Sequence, residues 1–377
     1  MQLREFFIED RLERYRKKAA CNLGESGIRN LTLKDLSESI GLDLNELGNL
    51  SLEDSENRGS YELRREVASL YSGASPDQVL ITTGTGEALF ISFAAILEKG
   101  DLVSLFWPAF QGLYEVPRFL GSRIQKVSLL SQLKSESNFC FGEYNTDMLF
   151  RNSPKLVIYN HPHNPTGIVP TAEDKKALLL HLKKFSGWIL FDEHYRFLEG
   201  KEELGWSGWG TSERAICTGS VTKCFGVMGL RIGWLLAPKE VIEKSRSIKD
   251  YLTHTVSPIS EYITLKLLRN RSFLQKKAQE TIRTNIELFQ EFWPSLPGIE
   301  SFSRPKGGVV GFAKLAKKIR SSEYSDYLME NADVFVLPGS DFEEEGYLRI
   351  GFGEDTERFR SGLDRWKSLG SLITDLS

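Results

Sequence analysis

Apolar positions recur along this chain in two rhythms. Leu63, Val67, Leu70 and Tyr71 keep the three- and four-residue spacing of an amphipathic helix that stops near Ser72-Gly73, and Val79–Ile81 then reads as a short strand. A glycine-containing turn and a second helix, Glu87–Glu98, follow. The middle of the chain repeats one theme of apolar strand, polar turn and helix. Val103–Phe106, Leu156–Tyr159, Trp188–Asp192 and Ala215–Gly219 are compact apolar or β-branched runs, and amphipathic stretches such as Ala172–Lys184 lie between them. Such alternation predicts an α/β fold, a mostly parallel sheet covered by helices on both faces, with ligands at the carboxyl ends of the strands. Beyond residue 265 the character changes. A Lys/Arg/Glu-rich helical pattern, Ile263–Phe292, leads through Pro294-Ser-Leu-Pro297 into short β-like pieces at Gly308–Phe312, Val334–Leu337 and Tyr347–Phe352, a smaller α+β lobe. Met1–Lys18 places Leu3, Phe6, Phe7, Ile8, Leu12 and Tyr15 at roughly helical spacing, as in an arm that packs elsewhere. Three parts are expected: 1–45 an arm and part of the smaller domain, 46–265 a large domain, and 266–377 a small C-terminal domain.

Composition narrows the function classes. The 377 residues are 41% hydrophobic and 26% charged, which fits an ordinary globular chain and excludes a disordered or disulfide-scaffold one. A net charge of −3 with interspersed signs offers no basic stripe for a phosphate backbone, so a small-molecule partner is expected and no nucleic acid. No apolar run approaches the ~18 residues of a membrane-spanning helix, and Met1–Ala20 lacks the apolar core of a leader, so no membrane partner and a cytoplasmic location are expected. Four scattered cysteines, Cys21, Cys140, Cys217 and Cys224, point to free thiols rather than a disulfide or zinc site.

Five segments could carry chemistry. Thr82-Thr-Gly84-Thr85-Gly86 lies between strand and helix, where small residues let backbone N–H groups approach an anion at the positive end of the helix dipole. A plain βα turn is the alternative, since Leu89 stands where a dinucleotide fingerprint has its third glycine. Tyr159-Asn-His-Pro-His-Asn164-Pro-Thr-Gly167 spends two prolines and a glycine on fixed dihedrals and can aim Asn164 into a site; His161 and His163 lack a nearby third metal ligand, so packing or surface roles are expected for them. Asp192 ends an apolar strand and needs a cationic or proton-donating partner there, unless it is a solvated strand end or helix cap. Lys223 falls in a run with few other charges, where desolvation favours the neutral, nucleophilic amine, and Ser220 and Arg231 flank it at distances suited to one polyanion. Snorkelling from a surface loop is the alternative for either cation alone. Arg349 stands in the apolar segment Tyr347–Phe352, either as a bidentate handle for a carboxylate or paired across strands with a glutamate.

Taken in order, Gly84-Thr-Gly86, Asn164-Pro-Thr-Gly167, Asp192-x-x-Tyr195, Ser220-x-x-Lys223, Arg231 and Arg349 resemble the class I/II aminotransferases of the fold-type I pyridoxal-phosphate enzymes, over roughly residues 20–370. The resemblance implies pyridoxal 5'-phosphate as cofactor, an amino acid and a 2-oxo acid as substrates, and a homodimer. It implies that Lys223 forms a Schiff base with the cofactor and moves the substrate proton, that Asp192 keeps the pyridine nitrogen protonated, and that Asn164 and Tyr195 hydrogen-bond the phenolic oxygen. Gly84, Thr85, Gly86, Ser220 and Arg231 would hold the phosphate, Phe110 would stack on the ring, and Arg349, helped by Asn164, would bind the α-carboxylate. Many relatives carry a tyrosine before the Gly59-x-x-x-Leu63-Arg64 segment that reaches the neighbouring subunit; Glu53-Asp-Ser-Glu-Asn-Arg58 has none. Gly24-Glu-Ser-Gly27, His163, Asp250-Tyr-Leu-Thr253 with Ser257-Pro258, and Pro305-Lys-Gly-Gly308 look most like the capreomycidine synthase branch, which eliminates a β-substituent from an arginine-derived substrate and closes a ring. In that branch Gly24–Gly27 would line the entrance beside the substrate side chain, where Gly27 is a candidate substrate contact and Glu25 could meet a cationic group; a helix-capping or loop role is the alternative.

Overall fold

The computed structural model describes residues 2–130, 139–199, 204–316 and 319–370. Met1 and 371–377, the ends of the expected arm and C-terminal lobe, lie outside the described residues.

Seven strands form the main sheet: β1 (Val79–Thr82), β2 (Leu102–Trp107), β3 (Arg123–Ser128), β4 (Leu156–Asn160), β5 (Trp188–Asp192), β6 (Ala215–Gly219) and β7 (Gly233–Leu236). Their order is β1-β7-β6-β5-β4-β2-β3. β7 runs antiparallel to both of its neighbours, and every other pair is parallel. β4, β5 and β6 are buried at every position, as strands covered on both faces must be, which is why their sequences read as continuous apolar runs rather than alternating ones. The parallel strands end at a common edge, and register sets Asn160 beside Asp192 and Asp192 beside Thr218 along it.

Two helix starts explain themselves locally. Thr171 and Asp174 form a reciprocal capping box at the start of Ala172–Leu182, and Thr32 with Asp35 does the same for Leu33–Ile40. The helix expected over Glu87–Glu98 begins three residues earlier, at Gly84, and ends at Ile96. Gly84 itself sits at φ +78°, in the left-handed region that glycine enters without steric cost, so the helix starts directly off the end of β1.

A second, antiparallel sheet consists of β8 (Ile299–Phe302), β9 (Val310–Leu315), β10 (Leu337–Pro338) and β11 (Tyr347–Gly351), in the order β10-β11-β9-β8. The single long helix expected over Ile263–Phe292 is two, Pro258–Arg269 and Arg271–Phe292, because Asn270 takes φ −106°, ψ 16° and bonds back to Lys266. The β-like piece Val334–Leu337 also splits. Val334–Phe335 pairs in parallel with Cys21–Asn22, while Leu337–Pro338 joins β11. That first pairing threads the N-terminal segment along the second sheet and carries residues 24–27 across to the edge of the first, where the Ile28 amide bonds the Lys223 carbonyl at 2.8 Å.

The helix Phe7–Tyr15 lies between the sheets. The Phe7 amide and the Glu5 carbonyl bond the side chain of Gln111, whereas Arg11 reaches Asp326 and Asp341. Ile8 and Leu12 of this helix are buried.

Candidate functional site

At the carboxyl edge of the main sheet, Asp192 is buried and its Oδ2 accepts from Asn160 Nδ2 (3.1 Å), its Oδ1 from Thr218 Oγ1 (3.1 Å). These donors come from the flanking strands through the register described above. No ion pair holds Asp192 among the described residues. Burial pushes its carboxyl up to about 6; the Thr218 hydroxyl, the Lys223 charge and the His194 amide pull the other way. A carboxylate so placed is complementary to a cationic N–H brought in by a ligand.

Beyond β1, the turn Gly84-Thr85-Gly86 opens a helix at its positive end. A Cβ on Gly84 would lie 2.9 Å from Arg231 Nη2, and one on Gly233 would lie 2.7 Å from the Thr85 amide, so both glycines let groups crowd around the turn. Arg231 is exposed at φ +48°, and no carboxylate pairs with it among the described residues. Ser220 is turned away from the cavity. Its hydroxyl donates to the Ile232 carbonyl (2.7 Å) and lies 2.8 Å from Thr222 Oγ1, so Thr222 is the hydroxyl of this loop on the cavity wall.

Lys223 Nζ donates to Ser26 Oγ (3.0 Å) and stands 5.9 Å from the Phe110 ring centroid. Tyr195 is buried and donates its hydroxyl to the Ser26 carbonyl (2.8 Å). Gly27 stands behind this group, where a Cβ would come within 3.2 Å of the Lys223 backbone; it does not line the cavity.

Arg349 is 1% exposed, and its cross-strand neighbours are Phe312 and Leu337, not a glutamate. Nη1 donates to Asn164 Oδ1 (3.1 Å) and Nη2 to the Gly24 carbonyl (2.7 Å), while Nε has no protein partner. Desolvation lowers its pKa, but a guanidinium stays charged. A buried cation whose direct hydrogen-bond partners are neutral oxygens, with Glu25, Glu9 and Asp341 acting only from farther away, is complementary to an anionic ligand.

One cavity of about 630 Å³ unites these residues: Gly84, Thr85, Gly86, Phe110, Asn164, Asp192, Tyr195, Lys223, Arg231 and Arg349 all line it. Of the expected Gly24–Gly27 lining, Glu25 and Ser26 reach the cavity; sequence reasoning missed Asn160, His194 and Thr222, and the wall supplied by Phe6, Ile8, Leu12 and Arg16. At the mouth Arg16 Nε bonds Glu25 Oε2 (2.9 Å), with Glu9 at 3.8 Å from the same guanidinium. His161 and His163 are buried and pushed down to about 3 by desolvation; His163 Nδ1 meets Thr166 Oγ1 (2.8 Å) and His161 packs on Trp206. Among the described residues no cluster has the makings of a metal site, no helix is long and apolar enough to cross a membrane, and the four cysteines are free.

The donor set fits pyridoxal 5'-phosphate: an amine beside an aromatic face, a buried carboxylate at one end, and a glycine cradle at a helix start with an unpaired arginine. A model of the class I and II aminotransferases matches residues 32–365, and the chain belongs to that family of pyridoxal-phosphate-dependent enzymes. Capreomycidine synthase of Streptomyces vinaceus is 25% identical over 366 residues, covering 94% of this chain and 91% of its own length. An aspartate aminotransferase of Thermotoga maritima is 28% identical over 317 residues, covering 82% of this chain and 81% of its own. A solved pyridoxal-phosphate-dependent cyclase, OrfR, superposes with a TM-score of 0.90 at 22% identity, over 99% of each chain, and shares the fold.

Proposed function

We propose that this enzyme transfers the amino group of an L-amino acid to a 2-oxo acid, with Lys223 as the catalytic amine. The observation that carries the reading is the convergence of Lys223, Asp192 and Arg349 on one cavity. When bound, pyridoxal 5'-phosphate supplies an aldehyde that condenses with amines and a ring that accepts electrons from the substrate α-carbon. Arg349 holds the substrate α-carboxylate in a fork whose Nε is free for it, and Asn164 orients that fork through its amide oxygen. Lys223 Nζ, released from its bond to Ser26, would take the substrate α-proton and then give it up, acting first as base and then as acid. Asp192, steadied by Asn160 and Thr218, would keep a proton on the ring nitrogen of the bound cofactor. Tyr195 and Asn164 would hydrogen-bond the phenolic oxygen, Phe110 would cover the ring, and Gly84, Thr85, Gly86, Arg231 and Thr222, braced by the Ser220 hydroxyl, would hold the phosphate.

A second reading has support at the mouth. Arg16 is already held by Glu9 and Glu25, which leaves one carboxylate in excess there and disfavours a dicarboxylate substrate. Together with the likeness to capreomycidine synthase, this supports β-elimination and ring closure on an arginine-derived amino acid. Adding amino acids singly to the holoenzyme decides between the two: transamination bleaches the cofactor band in one half-reaction and yields a 2-oxo acid, whereas elimination releases a leaving group with the band retained. No change with any amino acid would overturn both.

A homodimer is part of the proposal. Tyr251 is 90% exposed and Leu52 77%, with Leu252, Tyr61 and Leu44 also on the surface, an apolar set of the kind subunit contacts cover. Free thiols throughout support a cytoplasmic location.

A further inference from the structure

His194 lines the cavity, yet none of the roles assigned so far uses it. It is 8% exposed. Its Nδ1 lies 3.3 Å from Thr85 Oγ1, on the glycine turn, and its Nε2 is buried without any protein partner. A buried polar atom of this kind is normally met by protein, water or a ligand, and this one belongs to a residue that lines the cavity. Burial, reinforced by the nearby charges of Lys223 and Arg231, holds the imidazole in its neutral form, so one nitrogen carries a proton and the other accepts.

We propose that Thr85 Oγ1 donates to His194 Nδ1, that this fixes the proton on Nε2, and that Nε2–H donates to a phosphate oxygen of pyridoxal 5'-phosphate. The inference rests on the phosphate cradle proposed above, and the phosphate end is favoured because the imidazole is tied to Thr85 while Arg231 stands against Gly84 in the same turn. The opposite tautomer would leave a bare buried acceptor facing the anion, a repulsive arrangement. Thr85 thereby acts twice, through its backbone amide toward the anion and through its hydroxyl on the imidazole. His194 becomes a neutral donor whose strength does not change with pH across the working range.

Two measurements test this on the holoenzyme. Selective ¹⁵N-histidine labelling, with His194 assigned by its loss in His194→Gln, is expected to show Nε2 protonated and Nδ1 unprotonated from pH 6 to 9; a proton on Nδ1, or on both nitrogens, overturns the proposal. In parallel, cofactor dissociation constants and the ³¹P resonance of the bound phosphate are compared for His194→Gln, which keeps an N–H donor, and His194→Phe, which keeps a flat ring without one. H194F is expected to weaken cofactor binding roughly tenfold and shift the phosphorus resonance, with H194Q near wild type. Wild-type values for H194F contradict the donor role. Arg231→Met separates the two levels: weakened binding there with no effect of H194F overturns this inference alone, and unchanged binding in R231M overturns the cradle beneath it. Should H194F fail to fold, the nitrogen spectrum of the wild-type protein still decides.

Discussion

Asp192 and Arg349 line one cavity from different sheets, each a buried charge without an ion-pair partner among the described residues, and the protein solvates them differently. Asp192 is met by donors from two adjacent strands and a following backbone amide, and its carboxyl is nevertheless pushed up to about 6. Arg349 is met by one amide oxygen and one carbonyl drawn from distant segments, and keeps Nε unpartnered. The carboxylate is set in a rigid sheet and the guanidinium in a seam between two sheets. The proposed roles follow that difference: Asp192 would hold a resident group and Arg349 would take and release a transient one.

Breaking the comparison begins with the amine between the two. Lys223→Ala is expected to lower turnover by at least ~10⁴-fold in steady-state assays, since both nucleophile and proton carrier are lost. Asp192→Asn and Arg349→Gln should then separate by column. The first lowers kcat by ~10²–10³-fold with KM nearly unchanged, through loss of charge stabilisation. The second raises KM on the order of 10²-fold with the smaller effect on kcat. Equal changes in both parameters for both variants would erase the distinction.

The Asp192 site also has a pH signature. Its carboxyl titrates at about 6 in the fold against an ordinary 3.8, so the native state retains a proton that the unfolded chain gives up. Stability from this group is full below pH ~4 and is lost as pH rises toward ~6, by about 3 kcal/mol at most. Melting curves of cofactor-free protein should therefore show D192N gaining on wild type across that window, and a constant difference would refute it. The smallest effect belongs to the mouth. Glu25→Gln is expected to raise KM for amino acids with cationic side chains by ~3–10-fold and leave neutral ones unaffected, as a partly exposed pair allows.

The sheet end of the site was legible because short apolar strands fix which residue stands at the edge. Asp192 ends such a strand, Asn164 follows one, and Lys223 lies in the loop after another. The seam was not, because Ser26 approaches Lys223 only after Cys21–Asn22 has paired with Val334–Phe335, a contact across most of the chain. Nor can spacing say which hydroxyl of Ser220-Val-Thr222 faces inward, since a loop has no fixed period. The break at Asn270 escaped for a related reason: a helical apolar pattern continues through a single residue whose side chain competes for the backbone.

Reduction of the holoenzyme with borohydride, followed by peptide mass spectrometry, tests the placement of the amine most directly. The peptide containing Lys223 is expected to carry a pyridoxyl adduct. An unmodified Lys223 in cofactor-loaded protein, or an adduct confined to another lysine, would contradict it.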